Sequence, residues 1–445
     1  MIIEIIIVIV IALFCVLTKR DIHILFLLAL LLPIHDIIKF FLFSGGGSLF
    51  ALWKEIAIIV YAIRIFNRKR NIRILFSYVM LFILTIPYTV LGYVKGYTYA
   101  ADLRTLVLPG LLVISLINTT ISYADVKKIG LCLCLSFSII NITGVIDFVS
   151  PEMRYYFRSI WGYNYIYGDD GNIYYENSSM KILGVERVAG LSAGPNSLGV
   201  NNSFFLYYLF MLFMVWGNSL YKNKNLILFV TASLLSIFCL VFSFSRAGMA
   251  ILLISIAVYL FVQKKNVRYL IASFMAFILL VSFVVYFFPI VYTVFEKTFS
   301  GNEASSAARG NMVSNSFLFL IEHPYGHGLG STYHTSNFTA FYFAESSFIN
   351  VGIQIGVWGL LILLGLFWQV LNQMKRNRNN ILAEFGCSFI VAMFVASWVS
   401  VNTFQNPFVY LSWMFLGLSC AKNKTLSECR NNYQLLLQHS MQKRK

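Results

Sequence analysis

Long apolar stretches follow one another along most of the chain, separated by short polar turns. A helix needs about 20 consecutive apolar residues to cross the hydrocarbon core of a bilayer. About thirteen stretches approach that length, at 2–17, 22–43, 48–66, 74–94, 103–122, 129–149, 190–216, 226–244, 247–263, 269–293, 347–371, 382–402 and 404–420. Pro33, His35, Asp36 and Lys39 weaken the second, and only Asn402, Gln405 and Pro407 part the last two. The pattern predicts an all-α polytopic membrane protein with about thirteen transmembrane helices, in a range of 11–14, and two long extracytoplasmic loops. The predicted organisation is N-terminal transmembrane helices (1–149), a first long loop (150–189), central helices (190–293), a second long loop with a short amphipathic helix (294–346), C-terminal helices (347–420) and a cytoplasmic tail (421–445).

Composition agrees with this pattern. Of 445 residues, 59% are hydrophobic and 12% are charged, with a mean hydropathy of +0.75. A soluble domain carries about a quarter charged residues, and a disordered chain needs low hydrophobicity. Both classes are excluded.

Charge sets the predicted orientation. The turns after the odd-numbered stretches, together with the tail, hold 23 of the 34 basic residues and only Asp21, Asp125, Glu384 and Glu428 among the acids. That side carries a net +19, against −3 for the rest of the chain. Basic short loops stay cytoplasmic, so the N-terminus is expected outside and the C-terminus inside. The net charge of +16 then reflects membrane orientation and gives no reason to expect a nucleic-acid partner. The first stretch carries Glu4 and lacks a basic start, so it reads as an anchor and not as a cleavable signal. None of the seven cysteines falls in an outward loop, so no disulfide is expected.

The chemistry concentrates in the two long loops and where they meet the membrane. The first loop holds nine aromatic rings between Tyr155 and Tyr175, Trp161 and Tyr163 among them. Such rings can form an interfacial belt or stack on sugars. The loop ends in Glu186-Arg187, and Gly194-Pro195 then breaks the next helix. A broken helix turns free N–H groups and a positive dipole end toward an anion. Phe242-Ser243-Phe244-Ser245-Arg246-Ala247-Gly248 joins two apolar stretches with almost no loop, placing Arg246 at the membrane boundary as a snorkelling anchor or a functional cation. The second loop carries Arg309, then 311–324, predicted as a helix lying on the membrane, then an irregular turn from Pro324 to Gly330. His323, His327 and His334 lack metal-ligand spacing, so no metal and no cofactor are expected. Glu345 opens the next span as a helix-start acid or a functional carboxylate. Arginines at helix mouths with nearby carboxylates and aromatic loops suit an anionic, membrane-borne ligand, since a guanidinium grips phosphate bidentately.

The order of these motifs resembles that of the Wzy-type O-antigen and capsular polysaccharide polymerases and the related O-antigen ligases. The resemblance rests on Arg187 before Gly190, Pro195, Asn196 and Gly199; on Phe244 to Gly248; on Arg309 before Pro324 and Gly326 to Gly330; and on Glu345 before Gly352, Gly356 and Gly359. It covers about residues 185–365. Ligases usually show a His-Asn pair where the long loop enters the last conserved span. Here that stretch is Glu345-Ser346-Ser347, with His334 well upstream, which favours a polymerase.

The resemblance implies a metal-independent glycosyltransferase of the bacterial inner membrane. A growing glycan on undecaprenyl diphosphate would be passed to a hydroxyl of a lipid-linked repeat unit at the outer leaflet. Arg187, Arg246 and Arg309 would share the diphosphate. Glu345 would act as base, with Glu322 and His323 in reserve. Asn196, His327, His334, Tyr163 and Trp161, with Glu322 and His323, are the candidate substrate contacts. The implied partners are undecaprenyl-diphosphate-linked glycans, the lipid bilayer, and the chain-length regulator and flippase of the same pathway. Two rivals remain: a ligase passing glycan to a lipid A core, and a flippase or transporter, for which Asp36, Lys39, Lys54 and Glu55 are the relevant charges.

Overall fold

A computed structural model describes residues 2–43, 49–160, 165–167, 173–175, 180–182, 185–220, 225–262, 304–332, 346–377, 380–405 and 407–423. The described chain is an all-α polytopic membrane protein. Its helices are α1 (Ile2–Leu17), α2 (Ile22–Leu31), α3 (His35–Phe43), α4 (Trp53–Arg68), α5 (Phe76–Val94), α6 (Ala100–Ile117), α7 (Tyr123–Val149), α8 (Pro151–Ile160), α9 (Pro195–Leu220), α10 (Leu226–Phe242), α11 (Arg246–Val262), α12 (Ala304–Glu322), α13 (Ser347–Arg376), α14 (Ile381–Val399) and α15 (Phe408–Cys420).

Six of these helices have the length and apolar composition of a span, or seven if α2 and α3 count as one bent span. Further helices among the described residues are apolar but shorter. Of these, α1, α10 and α11 have 16 or 17 residues and α15 has 13. At 1.5 Å per residue, 17 residues rise about 26 Å, the short end of the range that can cross a bilayer. The α4 helix is apolar but carries Lys54, Glu55, Arg64 and Arg68. The predicted stretch 269–293 lies outside the described residues.

Helix breaks follow local chemistry. The α2–α3 pair bends by 66° around Pro33, whose ring removes a donor and clashes with the preceding turn. In α13, Ile355 (φ −118°, ψ 15°) and Gly356 (φ 76°, ψ 173°) leave the helical region. The predicted surface helix of the second loop exists but starts earlier, at Ala304. Of its expected apolar side, Leu320 is buried against Gly352, while Phe317 and Ile321 are exposed.

The core centres on α15, all of whose residues are buried, and on α9 beside it. Close approach depends on small residues, as is usual between membrane helices. A Cβ on Gly199 of α9 would lie 2.2 Å from the Ser245 Cβ, and one on Gly248 of α11 would lie 2.6 Å from the Gly199 backbone. In contrast, α1 and α5 expose long apolar faces, including Ile2, Ile6, Phe82 and Ile86.

The two ends of the bundle differ. At one end Asp21 pairs with Arg64 (2.7 Å) and Arg68, and Asn118 exchanges two hydrogen bonds with the Arg73 backbone (2.8 and 2.9 Å). There the two-residue strand Thr120–Ile121 pairs in parallel with Lys422–Asn423, beyond the last helix. The long loops leave from the opposite end. The first begins with α8 and forms two antiparallel hairpins, Tyr165–Tyr167 with Ile173–Tyr175 and Lys181–Ile182 with Val185–Glu186.

Candidate functional site

Three structures meet at the loop end of the bundle. The first is an arginine junction. Arg187 is 3% exposed. Its Nε donates to the Ser243 carbonyl (2.9 Å), and its Nη2 donates to Asn196 Oδ1 (2.5 Å) and, more weakly, to the Phe244 carbonyl (3.5 Å). The fork thus ties the α10 end and the first turn of α9 together. Between them Phe244 takes φ 48°, a strained angle for a residue with a side chain. Ser245 Oγ then caps α11 by accepting from the Gly248 N–H at 3.2 Å. Arg246 is the first residue of α11 and is half-buried. Two helix starts lie side by side here, and each presents a partial positive charge.

Sequence reasoning missed the anchor of this junction. Asp147, 1% exposed at the end of α7, accepts from the N–H groups of Ala189 and Gly190, both at 2.7 Å. Arg154 pairs with it at 3.2 Å. Arg158 pairs with Glu186 at 2.6 Å and donates to the Arg187 carbonyl at 2.9 Å. The backbone from 186 to 190 is therefore held by charged groups on three sides. The available signal was an acid at the last turn of an apolar span with two arginines following at i+7 and i+11.

The second structure is the glycine turn. Residues 324–330 lie in the break of α13. Val357 N–H donates to the Pro324 carbonyl (2.9 Å), His327 N–H to Ile353 (2.8 Å) and Gly328 N–H to Gln354 (2.9 Å). The turn thus satisfies carbonyls that the broken helix leaves open. Gly326, Gly328 and Gly330 all have positive φ, at 78°, 104° and 86°. A Cβ on Gly326 would lie 2.4 Å from the Gly356 nitrogen. On its other side the turn meets α5: Leu329 N–H donates to the Tyr88 carbonyl at 2.9 Å, and Lys95 Nζ donates to His327 O at 3.1 Å.

The third structure is a cavity of about 640 Å³, within the usual range for ligand sites. Its wall gathers the first turns of α4, α6 and α13, Ala193 before α9, and the turn at 401–405 between α14 and α15. It is lined by five charged residues, Asp36, Lys54, Glu55, Asp102 and Arg104, with Ser347, Asn350 and Gln354 among the polar ones. Arg104 pairs with Glu55 at 2.9 Å. The sequence marked Asp36, Lys54 and Glu55 as charges near membrane depth. It gave no role to Asp102 and Arg104, two residues apart in the first turn of a span, or to Asn350 and Gln354, four apart on one helix face.

The sequence-predicted residues separate into groups. Arg187, Asn196 and Arg246 come together at the junction, beside the cavity wall but not in it. Glu322 and His323 are exposed at the end of α12. His327 stacks on Phe319 at 4.9 Å and lies 5.2 Å from the His323 ring. Burial, with Lys95 and His323 nearby, holds the His327 imidazole below its ordinary pKa. Arg309 lies on α12, and its side chain is outside the described residues, as are Trp161, Tyr163, His334 and Glu345. Among the described residues no three His, Cys, Asp or Glu side chains form a metal-ligating group.

One segment of the chain is similar to a known family. Residues 231–364 match the model of the Wzy_C family, O-antigen ligase. The match runs from α10 through Arg246 and the glycine turn into α13. Over that segment the chain is similar to the O-antigen ligase/polymerase superfamily, whose members are glycosyltransferase-like. Arg187 and the N-terminal wall of the cavity lie outside it. No curated protein matches the chain.

Proposed function

We propose that the chain is a polysaccharide polymerase. It transfers a growing glycan from undecaprenyl diphosphate to a lipid-linked repeat unit at the outer leaflet of the bacterial cytoplasmic membrane, with its N-terminus outside and C-terminus inside. The observation that carries this reading is the charged cavity at the loop end, walled in part by the segment that matches the O-antigen ligase family.

The donor's leaving group is already activated, so the protein's task is positioning and stabilisation of departing negative charge. Arg246 and Arg309 take the diphosphate. Arg187 donates to Asn196 and two carbonyls, and it sets the junction that presents Arg246. Paired helix starts add partial positive charge. The aromatic loop around Trp161 and Tyr163 contacts sugar. A carboxylate or imidazole orients the acceptor hydroxyl, and the sequence nominates Glu345, Glu322 and His323. Arginines carry the charge, so the reaction requires no metal. The Glu345-Ser346-Ser347 stretch favours a polymerase over a ligase. A chain-length regulator and a flippase act alongside it.

The test is an assay of the purified full chain with lipid-linked repeat units as the sole substrate. A polymerase yields a ladder of chain lengths. A protein that yields no ladder but transfers glycan to a lipid A core is a ligase. Surface-displayed single repeat units in a deletion strain agree with a polymerase, and repeat units trapped inside point to a flippase.

A further inference from the structure

We infer that Asp102 is the carboxylate that receives the acceptor hydroxyl, held in place by the glycine turn. This inference rests on the polymerase reading and adds to it a residue that lies outside the family match. Asp102 stands in the first turn of α6 and lines the cavity. Its Oδ2 is buried, with no hydrogen-bond partner among the described residues. Buried polar atoms are nearly always bonded, and an orphaned carboxylate oxygen is costly. Asp102 lines the cavity, and a small shift of its side chain brings this unpartnered oxygen to a donor on the ligand. The other cavity charges are engaged: Glu55 with Arg104 at 2.9 Å, Lys54 with the Ala51 carbonyl at 3.0 Å, and Asp36 in the field of Lys39 and Lys54.

The turn determines where Asp102 sits. The Gln354 amide and the Gly330 N–H lie against its carboxylate. Both are fixed by the turn: Gly330 N–H donates to Gln354 Oε1 (3.2 Å), Gln354 Nε2 to Thr332 Oγ1 (2.6 Å), and Gly328 N–H to the Gln354 carbonyl (2.9 Å). Gly330 also abuts the start of α6, where a Cβ would lie 2.9 Å from the Tyr99 nitrogen. The break in α13, the turn and the start of α6 thus converge on one carboxylate.

A pyranose offers several hydroxyl donors and acceptors, and a cavity with a carboxylate that keeps one oxygen unpartnered, an ion pair and neutral amides suits such a polyol. Asp102 Oδ2 accepts the hydrogen bond of the attacking hydroxyl. As the acceptor oxygen bonds to the donor's anomeric carbon, the bond from that carbon to the diphosphate oxygen breaks. Its electron pair leaves on undecaprenyl diphosphate. The hydroxyl proton passes to Asp102 and is released to water with the product.

The experiment compares the purified full chain with its Asp102→Asn and Gln354→Leu variants. The substrate is lipid-linked repeat units extracted from cells lacking the chain. Asp102→Asn is expected to lower kcat by about 10²–10⁴-fold, the usual contribution of a positioned base, with acceptor KM little changed. Gln354→Leu, which leaves the carboxylate in place, is expected to lower kcat less, again without a rise in KM. A wild-type ladder rate in Asp102→Asn overturns the inference, as does a variant that changes KM alone. If Asp102→Asn fails to reach the membrane, Gln354→Leu decides: an unchanged kcat removes the proposed role of the turn and of Asp102. If the wild-type chain itself makes no ladder, the polymerase reading falls first. Ladders from wild type and variant alike remove only Asp102.

Discussion

Arg187 carries a charge into the protein and directs it at carbonyl oxygens, which makes its geometry more important than its charge. A lysine there would keep the charge but could not reach Ser243, Phe244 and Asn196 in one plane. Hydrogen bonds from charged groups contribute about 1.5–3 kcal/mol each. Arg187→Lys is therefore expected to lower stability by about 2–3 kcal/mol, read as an earlier thermal transition in detergent. Arg246→Lys is expected to shorten the glycan ladder. Normal chain lengths from Arg246→Lys would remove its bidentate role. Asp147 shows where sequence reading stops at this scale. An acid at a helix end has many roles, and only the fold reveals that, besides Arg154, it receives N–H groups 42 and 43 residues away. The arginine motifs were legible because few residue types tolerate a membrane boundary, so each exception is conspicuous.

The informative elements are the interrupted ones. Pro33, Pro195 and the glycines after Pro324 announced their breaks, because proline removes a donor and glycine accepts positive φ. The break at Gly356 was not legible, since its cause is a turn some thirty residues away that supplies replacement hydrogen bonds. That pairing makes a prediction. Gly356 has φ 76°, and a Cβ there would lie 2.7 Å from the Pro324 carbonyl. Gly356→Ala is expected to lose about 1–3 kcal/mol of stability through backbone strain and to displace the turn from α13. Limited proteolysis around residue 325 checks this, with faster cleavage in the variant. Helix ends were less legible than the spans themselves. Apolar composition continues through helix ends, whereas helix length is set by where caps and breaks fall.

The whole molecule couples two halves that sequence comparison sees unequally. The matched segment supplies Arg246, the turn and Gln354, while α3, α4 and α6 supply the charged wall. The turn between them should respond to pH. Burial holds His327 neutral, below its ordinary pKa of about 6.5. A depressed histidine pKa means that the unfolded state takes up the proton more readily. The stabilising contribution is thus complete above about pH 6.5 and is lost as pH falls below it. Protection factors of the amides in 325–330, which correct for the intrinsic pH dependence of exchange, are expected to fall on acidification, and His327→Gln is expected to abolish that fall.

This division of labour bears on how such proteins can diversify. On the polymerase proposal, grafting 231–364 from a similar chain would carry over Arg246, Arg309 and the glycine turn, and leave the α3, α4 and α6 side of the cavity to the recipient. Chimeras built at those borders should therefore inherit the host's taste for repeat units, and altered glycan selectivity should be sought among mutations near the start of the chain.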